Sequence, residues 1–167
     1  MSSTPNHSPV VNTSPLLYLH QVGQIELLPK LYGTVSTPGA VEAELAVGKE
    51  KGIDVPDLKR LDWLMICSVE PDSIVPNVID LGRGEAEVIA LGLKLTDSLL
   101  ILDDQLGRRV ASFYKLRSTG TLGVLIKAKQ KGHIDKIAPV IAQLQAQGMW
   151  LAESVVQKAL SLAGERK

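Results

Sequence analysis

"SLLILDD", residues 98–104, sets four apolar side chains in succession, Leu99 to Leu102, and then two aspartates. A strand that is apolar on both sides is one covered on both faces, as in a parallel sheet sandwiched by helices. In such a sheet the carboxyl ends of the strands open into the crevice where ligands bind, so Asp103 and Asp104 stand at the chemically interesting edge. The stretches on either side keep the alternation. Before it, "GRGEAEVIALGLKL" (82–95) repeats Ala86, Ile89, Ala90 and Leu93 at i, i+3, i+4 and i+7, the period of an amphipathic helix. After it, "QLGRRVASFYKL" (105–116) reads as a helix, "RSTG" (117–120) as a short strand or turn, and "TLGVLIKAKQKG" (121–132) as a helix closed by Gly132.

Upstream the same reading holds. "PVVN" (9–12) is a first strand. "SPLLYLHQVGQIELLPKLY" (14–32) has helical content broken near Gly23, with Ser14 as N-cap and Pro15 at the first helical position. "GTVSTP" (33–38) is a second strand closed by Pro38, and "GAVEAELAVGKEKG" (39–52) a helix with Val41, Leu45 and Gly48 inward. The later part of "LDWLMICSVEP" (61–71) is a strand stopped by Pro71, and residues 135–162 hold two more helices separated at Gly148. Strands alternating with helices define an α/β domain with a mainly parallel sheet.

The 167 residues suffice for one domain with its own core. Aromatic residues are only 4% of the chain, which argues against a base-stacking platform built from several exposed rings. One cysteine, Cys67, excludes an internal disulfide, and its neighbours in "WLMICSV" make it a buried apolar residue. No run approaches the roughly 18 apolar residues of a membrane span, and "MSSTPNHSP" has neither a basic nor an apolar leader region. A cytoplasmic protein without membrane contact is expected, with residues 1–8 a disordered polar tail. Net charge is zero but uneven: residues 1–100 carry 7 basic against 13 acidic side chains, and residues 101–140 carry 8 against 3. Such a division suits a metal cluster beside a phosphate-binding face, or simply solvated helix faces.

Four distant segments can deliver oxygen ligands to the carboxyl edge: Asn12, the pair Glu42 and Glu44, the pair Glu85 and Glu87, and Asp103 with Asp104. Carboxylates gathered closely repel one another, and a hard cation such as Mg²⁺ or Mn²⁺ removes the conflict. The chemistry implied is phosphodiester hydrolysis. Each acid also has a structural alternative. Glu85 and Glu87 can complement a helix dipole, one of Glu42 and Glu44 must face elsewhere, and Asp104 can cap the helix that follows it.

Together, "VVNTSPLLYL", "TPGAVEAEL", "GRGEAEVIALGL", "LLILDDQLGRRVA" and "TGTLGVLIKAKQKGHI" resemble the PIN-domain proteins. The likeness is strongest to a branch of small prokaryotic PIN-like proteins predicted to bind nucleic acid. It implies a three-layer α/β/α fold over residues 9–133, with residues 134–167 a C-terminal helical extension packed on the same domain. It also implies a Mg²⁺- or Mn²⁺-dependent nuclease for single-stranded RNA, or DNA. Many relatives are toxins of toxin–antitoxin pairs, so a homodimer and an antitoxin partner are further expectations. By position the metal ligands fall at Asn12, Glu44, Glu85 and Asp104, with Asp103 as a substitute, and catalysis at Glu44, Glu85 and Asp104. Ser14 takes the place of the hydroxyl near the metal. Arg108, Arg109, Lys127 and Lys131 are the basic residues available for phosphates. Asn12 departs from the usual aspartate, since an amide oxygen can coordinate a hard cation but brings no charge. A binding module that kept the fold and lost full metal affinity is therefore the competing expectation.

Two other folds are disfavoured. A response-regulator receiver would need its acid pair on the first strand, yet only 64 residues follow Asp103. "GRGEAE" lacks the third glycine of a dinucleotide-binding loop.

Overall fold

The computed structural model describes residues 8–70 and 73–165. Five strands, β1 (Ser8–Val11), β2 (Val35–Pro38), β3 (Leu64–Cys67), β4 (Ser98–Ile101) and β5 (Arg117–Thr119), form one sheet in the order β3-β2-β1-β4-β5. Every neighbouring pair is parallel. Eight α-helices are described: α1 (Thr13–Gln21), α2 (Leu27–Tyr32), α3 (Gly39–Glu50), α4 (Arg83–Lys94), α5 (Gln105–Phe113), α6 (Thr121–Gln130), α7 (Ala138–Ala146) and α8 (Glu153–Leu162).

The chain winds outward from β1 to β3, then returns across the sheet to β4 and β5. Right-handed crossovers in opposite directions put their helices on opposite faces, which gives the α/β/α layering. Accordingly α4 spans β1, β2 and β4 and meets α5, while α1 and α2 pack with α6. The strand order reverses between β1 and β4. That is the switch point at which open α/β sheets bind ligands.

The central strands fill the core: Val10, Val11, Leu100, Ile101 and Leu102 are completely buried. The helix break expected near Gly23 is present, with φ +73° at that residue between α1 and α2, and Gly148, at φ +102°, separates α7 from α8. Cβ strain makes both conformations rare for any other residue.

Several boundaries differ from the sequence reading. Ser8, assigned to the tail, begins β1 and pairs with Ser98 of β4; residues 1–7 lie outside the described residues. Pro71, the expected stop of the third strand, also lies outside them, and β3 ends at Cys67. Cys67 itself is only half-buried, because β3 is an edge strand. Ser14 is not the N-cap of α1. Asn12 holds that position in an extended conformation, Thr13 opens the helix, and Pro15 falls within its first turn.

The C-terminal helices share the main core. Ile137, Ile141, Leu144, Met149, Val156 and Ala159 belong to the same apolar cluster as the sheet residues. Glu165 locks this region: its Oε2 accepts from Ile137 N at 2.7 Å and Lys129 Nζ at 3.0 Å, and its Oε1 accepts from Ala138 N at 3.0 Å. Thus a residue just past α8 caps the start of α7 and holds α6. No helix among the described residues is long and apolar enough to cross a membrane.

Candidate functional site

β1 and β4 run in register, with Val11 beside Ile101, and Asn12 N extends the ladder by donating to Ile101 O at 2.9 Å. The Asn12 side chain is thereby fixed at the switch point, where the residue is 2% exposed. Its Nδ2 donates to Glu85 Oε1 at 3.2 Å. That bond sets the orientation of the amide, since the reverse arrangement would press a carbonyl against a carboxylate. The Asn12 Oδ1 is left buried without a hydrogen-bond partner among the described residues. An unsatisfied buried acceptor costs about 1–3 kcal/mol, which a hard cation at that oxygen would offset.

The acids surround this amide in a defined order. Glu85 lies in the first turn of α4, and its carboxylate occupies space that any side chain at Gly82 would need: a Cβ there would lie 2.3 Å from Glu85 Oε2. Glu44, on α3, accepts from Gly84 N at 3.1 Å and from the Thr13 hydroxyl. A Cβ at Gly84 would meet Glu44 Oε1 at 2.6 Å. The two glycines of "GRGE" are therefore the gaps that admit two carboxylates. Glu85 and Asp104 in turn flank Gly107, whose Cβ would lie 3.3 Å from Glu85 Cγ and 3.4 Å from Asp104 Oδ2.

Gly84→Ala tests the first of these gaps. The obstructing atoms are the end of a flexible side chain, and alanine favours a helix over glycine by up to ~1 kcal/mol. The melting temperature should hold or rise, while Glu44 is displaced from Gly84 and Thr13. Calorimetric titration with Mn²⁺ should show affinity reduced several-fold; unchanged affinity would remove Glu44 from the surroundings of the ion.

The four expected ligands are brought together only in part. Asn12 and Glu85 touch, Asp104 is next to Glu85 across Gly107, and Glu44 is on Thr13, the residue after Asn12. Among the described residues, however, no three acid, His or Cys side chains gather around one point. The cause is local hydrogen bonding. Glu44 is engaged by its two donors, and Asp104 caps α5 by accepting from Gly107 N at 2.7 Å.

Asp103 has a structural assignment. Its Oδ1 accepts from Thr121 N at 2.7 Å, and its Oδ2 from Thr121 Oγ1 at 2.7 Å and Ser14 Oγ at 3.0 Å. Both oxygens are engaged in tying β4 to α1 and α6, and the Ser14 hydroxyl donates to Asp103. Glu42 faces a different cleft, lined also by Lys49 and Leu58. Glu87 accepts from Ala40 N at 3.2 Å and Arg83 Nε at 3.1 Å, so it joins the start of α3 to α4 and sets where Glu44 stands. The sequence signal for Glu87 is its place near the start of a helix, and the partner helix is not readable from it.

The basic residues divide. Arg108 is exposed one turn into α5, with Nη1 3.6 Å from where a Gly120 Cβ would be, beside Asp103. Arg109 is exposed on the same helix. Lys127 and Lys131 belong elsewhere, because α6 starts at the carboxyl edge and runs back toward the other one. Lys127 Nζ lies 4.5 Å over the Tyr32 ring, and partial burial, then the charges of Lys131 and Arg117, lower its pKa. Burial also pushes the Tyr32 hydroxyl up to about 12. Arg117 opens β5, at the amino edge of the sheet. This cluster and the acids therefore occupy opposite edges.

A parallel α/β/α domain with an amide and carboxylates at the ends of β1 and β4 has the nuclease-type fold of the PIN domains. The family model described as DUF3368, a PIN domain, matches residues 8–165, and the chain belongs to that family. Its fold is similar to that of a PilT N-terminus domain protein from the hyperthermophilic archaeon Sulfolobus solfataricus P2, with a TM-score of 0.50 and 17% identity over 87% of this chain and 97% of that one. No curated protein matches the chain.

Proposed function

We propose that the protein is a Mg²⁺- or Mn²⁺-dependent endoribonuclease acting on single-stranded RNA in the cytoplasm. The observation that carries this reading is the unpartnered, buried Asn12 Oδ1 beside the Glu85 carboxylate. The donor set fits: Mg²⁺ is typically held by one or two carboxylates, keeps several waters and takes phosphate oxygens for the rest. Asn12 and Glu85 would hold the ion directly, with Glu44 and Asp104 behind its waters. The chemistry such a cation supplies is a lowered pKa for water and compensation of charge on the phosphoryl oxygens.

The chain's own groups do the remainder. Asp104 is exposed, and its cap bond uses only Oδ2, so Oδ1 is free to accept a proton from the attacking water. Arg108, at the same edge, binds a phosphate of the strand. Through the family resemblance we extend the reading to a toxin restrained by an antitoxin protein, and to a homodimer.

The second reading is a nucleic-acid-binding module without cleavage, favoured by the engagement of Glu44 and Asp104 in hydrogen bonds. Asp104→Asn separates the two, because asparagine preserves the helix cap. Melting temperature should be held, and Mn²⁺-dependent cleavage of a single-stranded RNA should fall by about 10²-fold or more. RNA binding by the wild type with no cleavage in Mg²⁺ or Mn²⁺ would select the binding module.

A further inference from the structure

We propose that the cleft of about 600 Å³ next to the acids is a subsite for one base of single-stranded RNA, with Trp150 as its stacking face and Arg108 as its phosphate ligand. This deepens the RNA reading above and rests on it.

The cleft lies between the start of α5, the joint of β5 and α6, and the connection from α7 to α8. Leu122 and Met149, 9% and 8% exposed, provide apolar surface in its lining. Gly148 turns the chain at φ +102°, and the next two residues separate: Met149 enters the core and Trp150 stays 83% exposed in the cleft wall. An indole left in water beside an apolar recess offers a large flat face, and every nucleobase has a matching one.

Charge selects a nucleotide over an apolar helix as the occupant. Arg108 lines the cleft and among the described residues has no ion pair, while of the two carboxylates in the lining Asp103 is engaged by Thr121 and Ser14 and Asp104 by Gly107 N. Asp104 lines it too, so the cleft shares that residue with the proposed cleavage centre. A base seated against Trp150 would carry its phosphate toward Arg108, which stands one helical turn after Asp104. The low aromatic content argues against a platform of several rings; a single subsite needs only one.

The test is a binding titration of a short labelled oligoadenylate in EDTA, with wild type, Trp150→Ala, Trp150→Phe and Arg108→Ala. Trp150→Ala should weaken binding about tenfold, within the range for loss of one stacked base, and Trp150→Phe should recover most of it. On an oligomer with abasic sites, Trp150→Ala and wild type should bind alike. Arg108→Ala should weaken binding and reduce the salt slope by about 0.7. Wild-type affinity in Trp150→Ala, or an equal loss on the abasic strand, overturns the subsite. Unchanged RNA affinity with lost self-association in sedimentation would also overturn it and give the cleft to a second copy of the chain. Because no divalent ion is present, failure of the RNA to be cleaved in Mn²⁺ would remove the nuclease reading and leave this result standing.

Discussion

Asn12→Asp should lower the stability of the metal-free protein by about 2–3 kcal/mol and at the same time tighten Mn²⁺ binding at least tenfold. The substitution exchanges the amide that donates to Glu85 Oε1 for a second carboxylate 3.2 Å away, at a site where the residue is 2% exposed. Two like charges in that position oppose one another, and a buried charge without a counter-ion is among the costlier defects a fold can carry. A divalent cation reverses the sign of the effect by neutralising both groups. Saturating Mn²⁺ at a hundred times its dissociation constant would restore about 2.7 kcal/mol. Differential scanning calorimetry with and without Mn²⁺ reads both quantities. A variant that melts like the wild type and binds Mn²⁺ no better would mean that Asn12 lies outside any metal site.

Glu165→Ala should cost about 3 kcal/mol, which for a domain of this size lowers the melting temperature by roughly 6–12 °C. The Glu165 side chain is 8% exposed, and its removal takes the acceptor from Ile137 N and Ala138 N and the counter-charge from Lys129, whose Nζ keeps its bond to Ala163 O. Burial pushes its carboxyl up, yet the two backbone N–H groups and Lys129 outweigh burial and hold it below the ordinary 4.5. A carboxyl depressed on folding contributes stability that is present above its unfolded value. That contribution is lost as pH falls through the folded one. Urea melts should therefore show the wild type and Glu165→Ala separated at pH 7 and drawing together below about pH 4. A gap that persists undiminished to about pH 2 would show that Glu165 acts by packing and not by charge.

The architecture was legible because apolar periodicity and strand length constrain it strongly. The four apolar residues before Asp103 required a strand covered on both faces, and β4 is that strand, paired with β1. The rule that ligands bind at the carboxyl ends of parallel strands then assigns Asn12 and Asp104 to one edge of the sheet, and β1 and β4, which lead to them, are parallel neighbours. What a one-dimensional pattern leaves open is which donor each acid finds. Asp103 and Asp104 are adjacent in sequence, yet one braces three elements through Ser14 and Thr121 and the other caps its own helix. Ser14 followed by Pro15 has the pattern of a cap, but the ladder bond from Asn12 N to Ile101 O extends the strand geometry and the helix starts two residues earlier. That Lys127 and Lys131 lie away from the acids follows from helix geometry. A helix that leaves the carboxyl edge rises 1.5 Å per residue, so Lys127 is already about 9 Å along the helix from Thr121 and Lys131 about 15 Å.

The most direct test of the Asn12–Glu85 centre is anomalous diffraction from a crystal soaked in Mn²⁺. A single peak about 2.0–2.5 Å from both Asn12 Oδ1 and a Glu85 carboxylate oxygen is expected, with Glu44 and Asp104 in its outer surroundings. Mn²⁺ bound at Asp103 or on the Glu42 side of α3, with nothing at Asn12, would contradict it.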